Sequence, residues 1–194
     1  MIPPVKPGVT LPMPMDMVIE TERLVLRRWR DADVAANTEM LADPATARFI
    51  TSDGNAVTDE FVGWKNGAIM AGHWALHGFG LFVVEEKQTR RYAGRVGPWF
   101  PVGWPGLEVG WGIAKSFRGK GYAAEAATAS IDWTFACFEI DKIIHLIRPE
   151  NVASQKVAQR LGATVERQVD LFDHVMDVWV TQRGAWTARP KPRV

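Results

Sequence analysis

The sequence is poor in cysteine, and it has almost no excess of charge of either sign. Cys137 is the single cysteine of 194 residues, which excludes an intrachain disulfide framework and a cysteine-cluster metal site. The 23 Lys and Arg residues nearly balance the 22 Asp and Glu residues, and this net charge of +1 argues against a general nucleic-acid binder. The composition, 47% hydrophobic and 23% charged, is typical of one soluble globular domain.

The sequence also lacks a recognisable targeting or membrane-spanning segment. Residues 1–17 contain five prolines and no apolar run, so they are not a secretory signal peptide and are expected to form a flexible or extended arm. Residues 67–84 carry no Asp, Glu, Lys or Arg, but four glycines and two histidines favour a helix end followed by a buried strand. We therefore expect a cytoplasmic protein without a membrane partner.

Hydrophobic periodicity predicts one mixed domain of the α+β class over residues 18–186 and a polar tail, which begins near Gly184 and includes 187–194. A helix between the fourth and fifth strands predicts a parallel crossover in an otherwise antiparallel sheet. The segment between the first two helices is expected to be a loop, and Asp31 or Asp33 is expected to cap the first helix. The predicted strands are 18–29, 79–85, 92–100, 107–113, 142–147, 164–169 and 173–180; the predicted helices are 31–41, 58–76, 121–138 and 151–161.

A basic glycine loop joins the fourth predicted strand to the third predicted helix. Gly119 and Gly121 allow the backbone to approach a ligand closely, and the first N–H groups of the helix form an anion site. Arg118 and Lys120 add positive charge. The glycines alone are equally typical of a tight turn, but two interleaved cations at a helix start favour a phosphate site.

The kind of phosphate ligand is narrowed by the residues around this loop. A Walker loop would need Ser or Thr after Gly119-Lys120, and this sequence has Gly121 there. The glycine spacing satisfies a dinucleotide fingerprint, but it lies past mid-chain, and Glu139 and Asp141 precede the next strand instead of ending it. A nucleotide-binding domain is therefore the weaker alternative.

The run Arg118-x-x-Gly121-x-Ala123 matches the acyl-CoA signature of the GNAT superfamily of N-acyltransferases. From about residue 19 to 186, the sequence resembles the branch that contains the ribosomal-protein N-terminal acetyltransferases RimJ and RimL. This resemblance implies the GNAT fold, a mostly antiparallel mixed sheet with helices on both faces, whose fourth and fifth strands splay apart. The segments that carry the resemblance are Thr21–Arg27, Glu108–Trp111, Gly119–Ala126, Arg148–Ser154 and Leu161-Gly162.

The resemblance implies that acetyl-CoA lies in the cleft between the splayed strands. No metal is expected. The pyrophosphate is expected on the N–H groups of the glycine loop, and the pantetheine arm beside the fourth strand and the start of the last helix. Main-chain N–H groups of that strand are expected to polarise the thioester carbonyl. The residues implied in coenzyme binding are Trp111, Ile113, Arg118, Gly119, Lys120, Gly121, Tyr122, Ala123 and Asn151.

Two residues are candidates for catalysis. An acceptor amine must be neutral to attack, and deprotonation at pH 7 costs roughly 4.6 kcal/mol for lysine but only about 1–1.4 kcal/mol for an α-amine. Glu108 is the candidate base, directly or through water, although an ordinary solvent-facing strand carboxylate is an equal alternative. By resemblance, Ser154 protonates the leaving thiolate, while Asn151 and Ser154 also suit a plain helix N-terminus.

The histidines and three of the tryptophans give weaker indications of function. His73 and His77 have helical spacing but no evident third metal ligand, so packing or an acceptor pocket is favoured. His145 is expected in the core and His174 at the acceptor mouth. The tryptophans expected beside the cleft are Trp99, Trp104 and Trp111.

The predicted function is acetyl-CoA-dependent N-acetylation of a primary amine, by direct attack in a ternary complex. The acceptor is a protein N-terminal α-amine or a small-molecule amine, with no nucleic-acid partner, and the protein is a monomer or homodimer. The alternative is a non-catalytic acyl-CoA-binding or sensing module, which is favoured by Ala158, where many family members have a tyrosine.

Overall fold

Eight strands form one mixed sheet in the part of the chain that the computed structural model describes, residues 4–9 and 17–189. The strands are β1 Val18–Glu20, β2 Leu24–Arg27, β3 Phe82–Glu86, β4 Tyr92–Trp99, β5 Glu108–Ile113, β6 Lys142–Ile147, β7 Thr164–Leu171 and β8 His174–Gln182. The helices are α1 Asp33–Ala42, α2 Pro44–Ile50, α3 Glu60–His77, α4 Tyr122–Cys137, α5 Val152–Arg160 and α6 Arg183–Ala188. A 3₁₀ turn, Lys115–Phe117, lies between β5 and α4.

The strand order β1-β2-β3-β4-β5-β6-β8-β7 confirms a mixed, mostly antiparallel sheet. Among the described strands, only β5 and β6 run parallel, and α4 is the crossover that joins them. The first predicted strand is wrong in one respect, because residues 21–23 turn and divide it into β1 and β2. Thr21 closes this turn, since its hydroxyl accepts from the Leu24 N–H at 2.9 Å. The predicted fourth and fifth strands are therefore β5 and β6.

The start of α1 and the presence of α2 both differ from the sequence prediction. Asp33 does not cap α1, because its carboxylate is buried and accepts two hydrogen bonds from Arg27, each at 2.8 Å. The predicted loop contains α2, which Pro44 begins. Proline suits the first turn of a helix, where its missing N–H costs nothing. Thr46 also donates to the Asp43 carboxylate just before the helix, at 2.8 Å.

Both ends of the described chain pack against the end of α4. The polar tail predicted from Gly184 onward is wrong over residues 184–188, which belong to α6. Trp186 is 4% exposed and its indole N–H donates to Asp132 at 2.7 Å. At the other end, the Lys6 N–H donates to the carbonyl of Cys137 at 3.0 Å. Predictions for residues 1–3, 10–16 and 190–194 lie outside the described residues.

Helices cover both faces of the sheet, as predicted. A methyl group at Gly112 would lie 2.6 Å from Ile50 of α2 and 3.7 Å from Met40 of α1, so these helices cover its face. Successive strand residues alternate between faces, and Val109 points the other way, into the main core with Ile131 of α4. No helix in residues 4–9 and 17–189 is long and apolar enough to cross a membrane.

Candidate active site

The two parallel strands separate almost as soon as they meet. In the described structure β5 and β6 pair at one position, Glu108 with Ile144, where the Ile144 N–H donates to the Leu107 carbonyl at 3.0 Å. Beyond this pair, side chains of one strand bond to the backbone of the other in place of backbone–backbone hydrogen bonds. The Leu146 N–H donates to Glu108 Oε1 at 3.2 Å, and His145 Nδ1 donates to the Val109 carbonyl at 2.7 Å. The predicted splay is confirmed, and these side chains occupy its apex.

A cavity of about 1140 Å³ opens where the strands diverge. It extends from the glycine loop before α4, along β5, to the β7–β8 turn. Lys120 is the one predicted site residue that does not line it. The predicted residues that do line it are Glu108, Trp111, Ile113, Arg118, Gly119, Gly121, Tyr122, Ala123, Asn151 and Ser154.

The cavity-facing edge of β5 has backbone groups without a strand partner. The Ala114 N–H donates across to Ala93 beyond the end of β4, at 2.9 Å. Because antiparallel bonding alternates along a strand, the N–H and C=O groups of residues 109, 111 and 113 turn toward β6. Trp111 and Ile113 lie beyond the position where β6 pairs with β5, so their backbone groups border the opening.

The start of α4 presents backbone donors to the same cavity. Gly119 and Gly121 have φ of +78° and +82°, the left-handed region that favours glycine. The N–H groups in the first turn of a helix have no intrahelical acceptor. Among the described residues, no side chain caps α4 to provide one. With the helix dipole behind them, these groups favour an anion. The local backbone therefore fits the predicted phosphate site.

The cationic side chains of this loop are already engaged with the protein. Arg118 donates to the Asp43 carboxylate at 2.7 Å and to the Thr46 hydroxyl. Lys120 donates to the Glu86 carboxylate at 3.1 Å. The glycine loop is thus tied to α2 and to β3 by these side chains, and Arg118 still lines the cavity while Lys120 does not.

Glu108 is the ionisable group at the apex of the splay. It is 9% exposed, so the alternative of a solvent-facing strand carboxylate is wrong. Its Oε2 accepts from the Trp104 indole N–H at 2.6 Å, and its Oε1 from the Leu146 N–H. Burial raises the pKa of Glu108 to about 7, against the two hydrogen bonds, which lower it. This carboxyl group changes charge near neutral pH.

Asn151 and Ser154 form the N-terminus of α5, the structural role that the sequence analysis gave as the alternative to a role in the site. Asn151 Oδ1 accepts from the Ser154 N–H at 3.1 Å and caps α5. Both residues also line the cavity, so capping does not remove them from the site. The Ser154 hydroxyl makes no hydrogen bond with any described residue.

The histidines mostly pack, as predicted. His145 is 1% exposed, accepts from the Thr181 hydroxyl at 2.9 Å through Nε2, and burial lowers its pKa to about 4. His73 is held by the Phe79 carbonyl and by the Phe100 N–H. His174 lines the cavity. Among the described residues, no group of three His, Cys, Asp or Glu side chains is arranged for a metal ion.

Three residues of this cavity have roles that sequence reasoning missed. The indole of Trp104 holds Glu108, although neither residue type nor spacing indicates that bond. Phe172, at the β7–β8 turn, packs its ring 5.7 Å from that of Trp104. Arg95 is a buried cation on the cavity wall. The only signal in the sequence for Arg95 is a lone charge inside an apolar strand.

Comparison with known proteins decides the family. The family model for the acetyltransferase (GNAT) domain matches residues 23–164. The chain belongs to the GNAT acetyltransferase family. It is 32% identical over 163 residues to the uncharacterized protein YkkB of Bacillus subtilis, covering 82% of this chain and 92% of that protein.

Solved structures share this GNAT fold. A crystal structure of an acetyltransferase from Agrobacterium tumefaciens matches with a TM-score of 0.73 and 26% identity, covering 92% of this chain and 99% of that one. The ribosomal L7/L12 α-N-protein acetyltransferase RimL, in complex with coenzyme A, matches with a TM-score of 0.69 and 17% identity, covering 86% and 98%. The RimJ/RimL-like branch suggested by the sequence is therefore represented among its structural neighbours.

Family membership identifies the chain as an acyltransferase that carries out acetyl transfer. It thereby argues against a dinucleotide-binding domain as the interpretation of the glycine loop. Enzymes of the GNAT family use acetyl-CoA.

Proposed function

We propose that this GNAT enzyme moves an acetyl group from acetyl-CoA to a primary amine within a ternary complex, without a covalent enzyme intermediate. The observation that carries the proposal is Glu108, a buried carboxyl group that titrates near neutrality at the apex of the splayed strands. The acceptor is a protein N-terminal α-amine or a small-molecule amine.

The described residues fit acetyl-CoA. The N–H groups of Gly119 to Ala123 would hold the pyrophosphate. The cavity-facing edge of β5 at Trp111 and Ile113 would pair with the pantetheine arm, although the Ile113 carbonyl already accepts from Arg118 Nε at 3.3 Å. Asn151 lines the opposite wall. When bound there, acetyl-CoA supplies the activated acetyl group for transfer.

Glu108 acts as the general base in this proposal. Gly110 lies beside Glu108 on the same face of β5, and a methyl group there would lie 3.4 Å from Glu108 Oε1, so the glycine leaves this side of the carboxylate without a neighbouring side chain. A base with a pKa of about 7 is well matched to an α-amine, whose pKa is about 7.7–8.0. The carboxylate takes the amine proton directly or through one water.

Two further groups support the transfer. The N–H groups of Trp111 and Ile113 face the cavity and can stabilise negative charge on a carbonyl oxygen. The Ser154 hydroxyl lines the cavity at the start of α5 and can donate its proton to the departing sulfur. Ser154 is the remaining acid candidate because Ala158 stands where many family members have a tyrosine.

The first test is calorimetric titration with acetyl-CoA, with coenzyme A, NAD and ATP as comparisons. Gly119→Asp places a carboxylate at the pyrophosphate position and should weaken acetyl-CoA binding at least about tenfold by charge repulsion. Gly162→Asp is the matched control, because both glycines have nearly equal φ, +78° and +76°, with no atom within 4 Å of an added methyl group.

Either of two results would refute the coenzyme site. One is binding of NAD or ATP without binding of acetyl-CoA. The other is an equal loss of affinity in both glycine variants, which would attribute the effect to backbone strain.

The second test is release of free thiol from acetyl-CoA in the presence of an amine. Glu108→Gln keeps the size of the side chain but cannot take a proton, so kcat should fall about 10²- to 10⁴-fold. Peptides with a free N-terminus and small amines are compared as acceptors. An unchanged kcat in Glu108→Gln, with normal acetyl-CoA binding, would remove Glu108 as the base.

A further inference from the structure

Arg95 is a buried cation on the cavity wall. It lies on β4, opposite Gly112 of β5, and is 5% exposed. Among the described residues, no carboxylate lies within ion-pair distance of its guanidinium, and burial lowers its pKa. Burying an unpaired charge is costly, so an unpaired guanidinium in this place requires an explanation.

The neutral partners of Arg95 do not provide that explanation. Its Nη1 donates to Asn66 Oδ1 at 2.8 Å and to Asn37 Oδ1 at 3.3 Å. Asn66 Oδ1 also accepts from Asn37 Nδ2 at 3.0 Å, and Asn37 Oδ1 accepts from the Tyr92 hydroxyl at 3.1 Å. Both amide oxygens would therefore keep a donor without Arg95.

The other donors of Arg95, Nε and Nη2, have no hydrogen-bond partner among the described residues. Neither nitrogen is fully buried, since the fully buried polar atoms without a partner do not include them. Since Arg95 lines the cavity, these two nitrogens can reach a ligand in it. A guanidinium offers two parallel donors that match a carboxylate or a phosphate.

Between the positions of Arg95 and Glu108, β5 lines the cavity with two glycines, Gly110 and Gly112. Arg95 pairs with Gly112, and Trp99, four residues along β4, pairs with Glu108. The pair between them is Gly97 with Gly110, so no side chain rises from either strand at that position. Four residues of strand span about 13 Å, which is the separation of the two backbone positions that carry these side chains.

We propose that Arg95 binds an anionic oxygen group at the far end of the acceptor. The acceptor is then an elongated primary amine whose carboxylate or phosphate lies on the order of 10 Å from the amine that meets Glu108. This inference rests on the proposed N-acetyltransferase function and names its substrate class. A simple α-amino acid is too short to engage both groups.

The test compares acceptors that differ only in length and in the anion. The ω-amino carboxylic acids of four to eight carbons, the matching ω-aminoalkyl phosphonates and the matching n-alkylamines are assayed for kcat/KM. The longer anionic amines should exceed the alkylamines at least about tenfold through a lower KM, and the shortest should not. Comparison of the two anionic series distinguishes a carboxylate from a phosphate as the preferred group.

Arg95→Met removes the charge and keeps much of the length. It should reduce the preference for anionic acceptors to about one, while the thermal midpoint of unfolding stays equal or rises, because a buried unpaired charge is gone. Arg90→Met is the matched control, since Arg90 lies at the exposed β3–β4 turn outside the cavity lining and should retain the preference.

Equal use of anionic and neutral amines by the unaltered enzyme would overturn the inference, even if Arg95→Met did not fold. A preference for anionic amines that persists in Arg95→Met would also overturn the inference. This includes a preference that depends on Arg148, which is also buried and lines the cavity. Acetylation without such a preference ends this inference alone. Absence of both acetyl-CoA binding and amine acetylation ends the proposed function instead.

Discussion

Replacing Trp104 by phenylalanine should move the acid limb of the pH–rate profile to higher pH. The indole N–H donates to Glu108 Oε2 at 2.6 Å and stabilises the charged form of a carboxyl group whose pKa is about 7. A hydrogen bond to a charged group contributes about 1.5–3 kcal/mol, and 1.36 kcal/mol corresponds to one pKa unit. Its loss should therefore raise the pKa of Glu108 by about one to two units.

The assay is kcat/KM for one acceptor amine across pH 6 to 10 in the unaltered enzyme and in Trp104→Phe. At pH 7 the ionised fraction of Glu108 should fall from about half to roughly one-tenth or less, so the rate should fall about five- to fifty-fold and recover at high pH. The ratio of the two enzymes at each pH removes the titration of the acceptor itself.

Trp99→Phe is the matched control for this experiment. Trp99 also lines the cavity, but its ring stacks on His73 at 4.3 Å and makes no hydrogen bond to Glu108. Its ratio to the unaltered enzyme should not vary with pH. A Trp104→Phe ratio that is independent of pH, or a limb that moves to lower pH, would refute the assignment of Glu108 as the titrating base.

Two further predictions concern stability. Because burial raises the pKa of Glu108 from 4.5 to about 7, its contribution to stability is present below pH 4.5 and is lost, by about 3 kcal/mol, as the pH rises to 7. His145, lowered from 6.5 to about 4, contributes in the opposite sense and loses about 3 kcal/mol as the pH falls through that window. Urea unfolding at pH 5 to 7 should therefore give a stability that rises with pH in Glu108→Gln and falls with pH in His145→Phe. Parallel curves for both variants would contradict these pKa assignments. His145→Phe should also cost about 2 kcal/mol or more at pH 7, because it leaves the Val109 carbonyl and the Thr181 hydroxyl unpaired.

The parts of the fold that the sequence predicted are those with local signals. The bounds of α4, β3 and β4 and the place of the glycine loop were predicted to within three residues, because each depends on a local pattern of apolar residues, turn residues or glycines. The helix predicted over 151–161 is α5, and Gly162 follows it with a φ of +76°, in the left-handed region that favours glycine. The order of these elements, with one helix between two strands, also predicted the parallel crossover.

The errors occurred where distant residues override local propensity. Asp33 is a good capping residue, yet it is buried as the partner of Arg27. Pro44 was interpreted as part of a loop, yet it begins a helix that Arg118 ties to the glycine loop. Residues 183–188 are polar enough to suggest a tail, but Arg183 donates to carbonyls at the end of α4 and Trp186 is buried.

In the candidate site, too, some features follow from local sequence and others depend on distant residues. The sequence by itself determined where the backbone suited to an anion lies, because two glycines between a strand and a helix need left-handed φ, and the first N–H groups of that helix have no intrahelical acceptor. Only the tertiary structure decided the chemistry beside that backbone. In the sequence, Glu108 and Arg95 are charged residues of ordinary strands. In the structure, Glu108 is buried where β5 and β6 separate and is bonded to Trp104, and Arg95 is buried beside Asn37 and Asn66 of the covering helices. Solvation depends on everything packed around a residue, so burial and the resulting charge state cannot be predicted from neighbours in sequence.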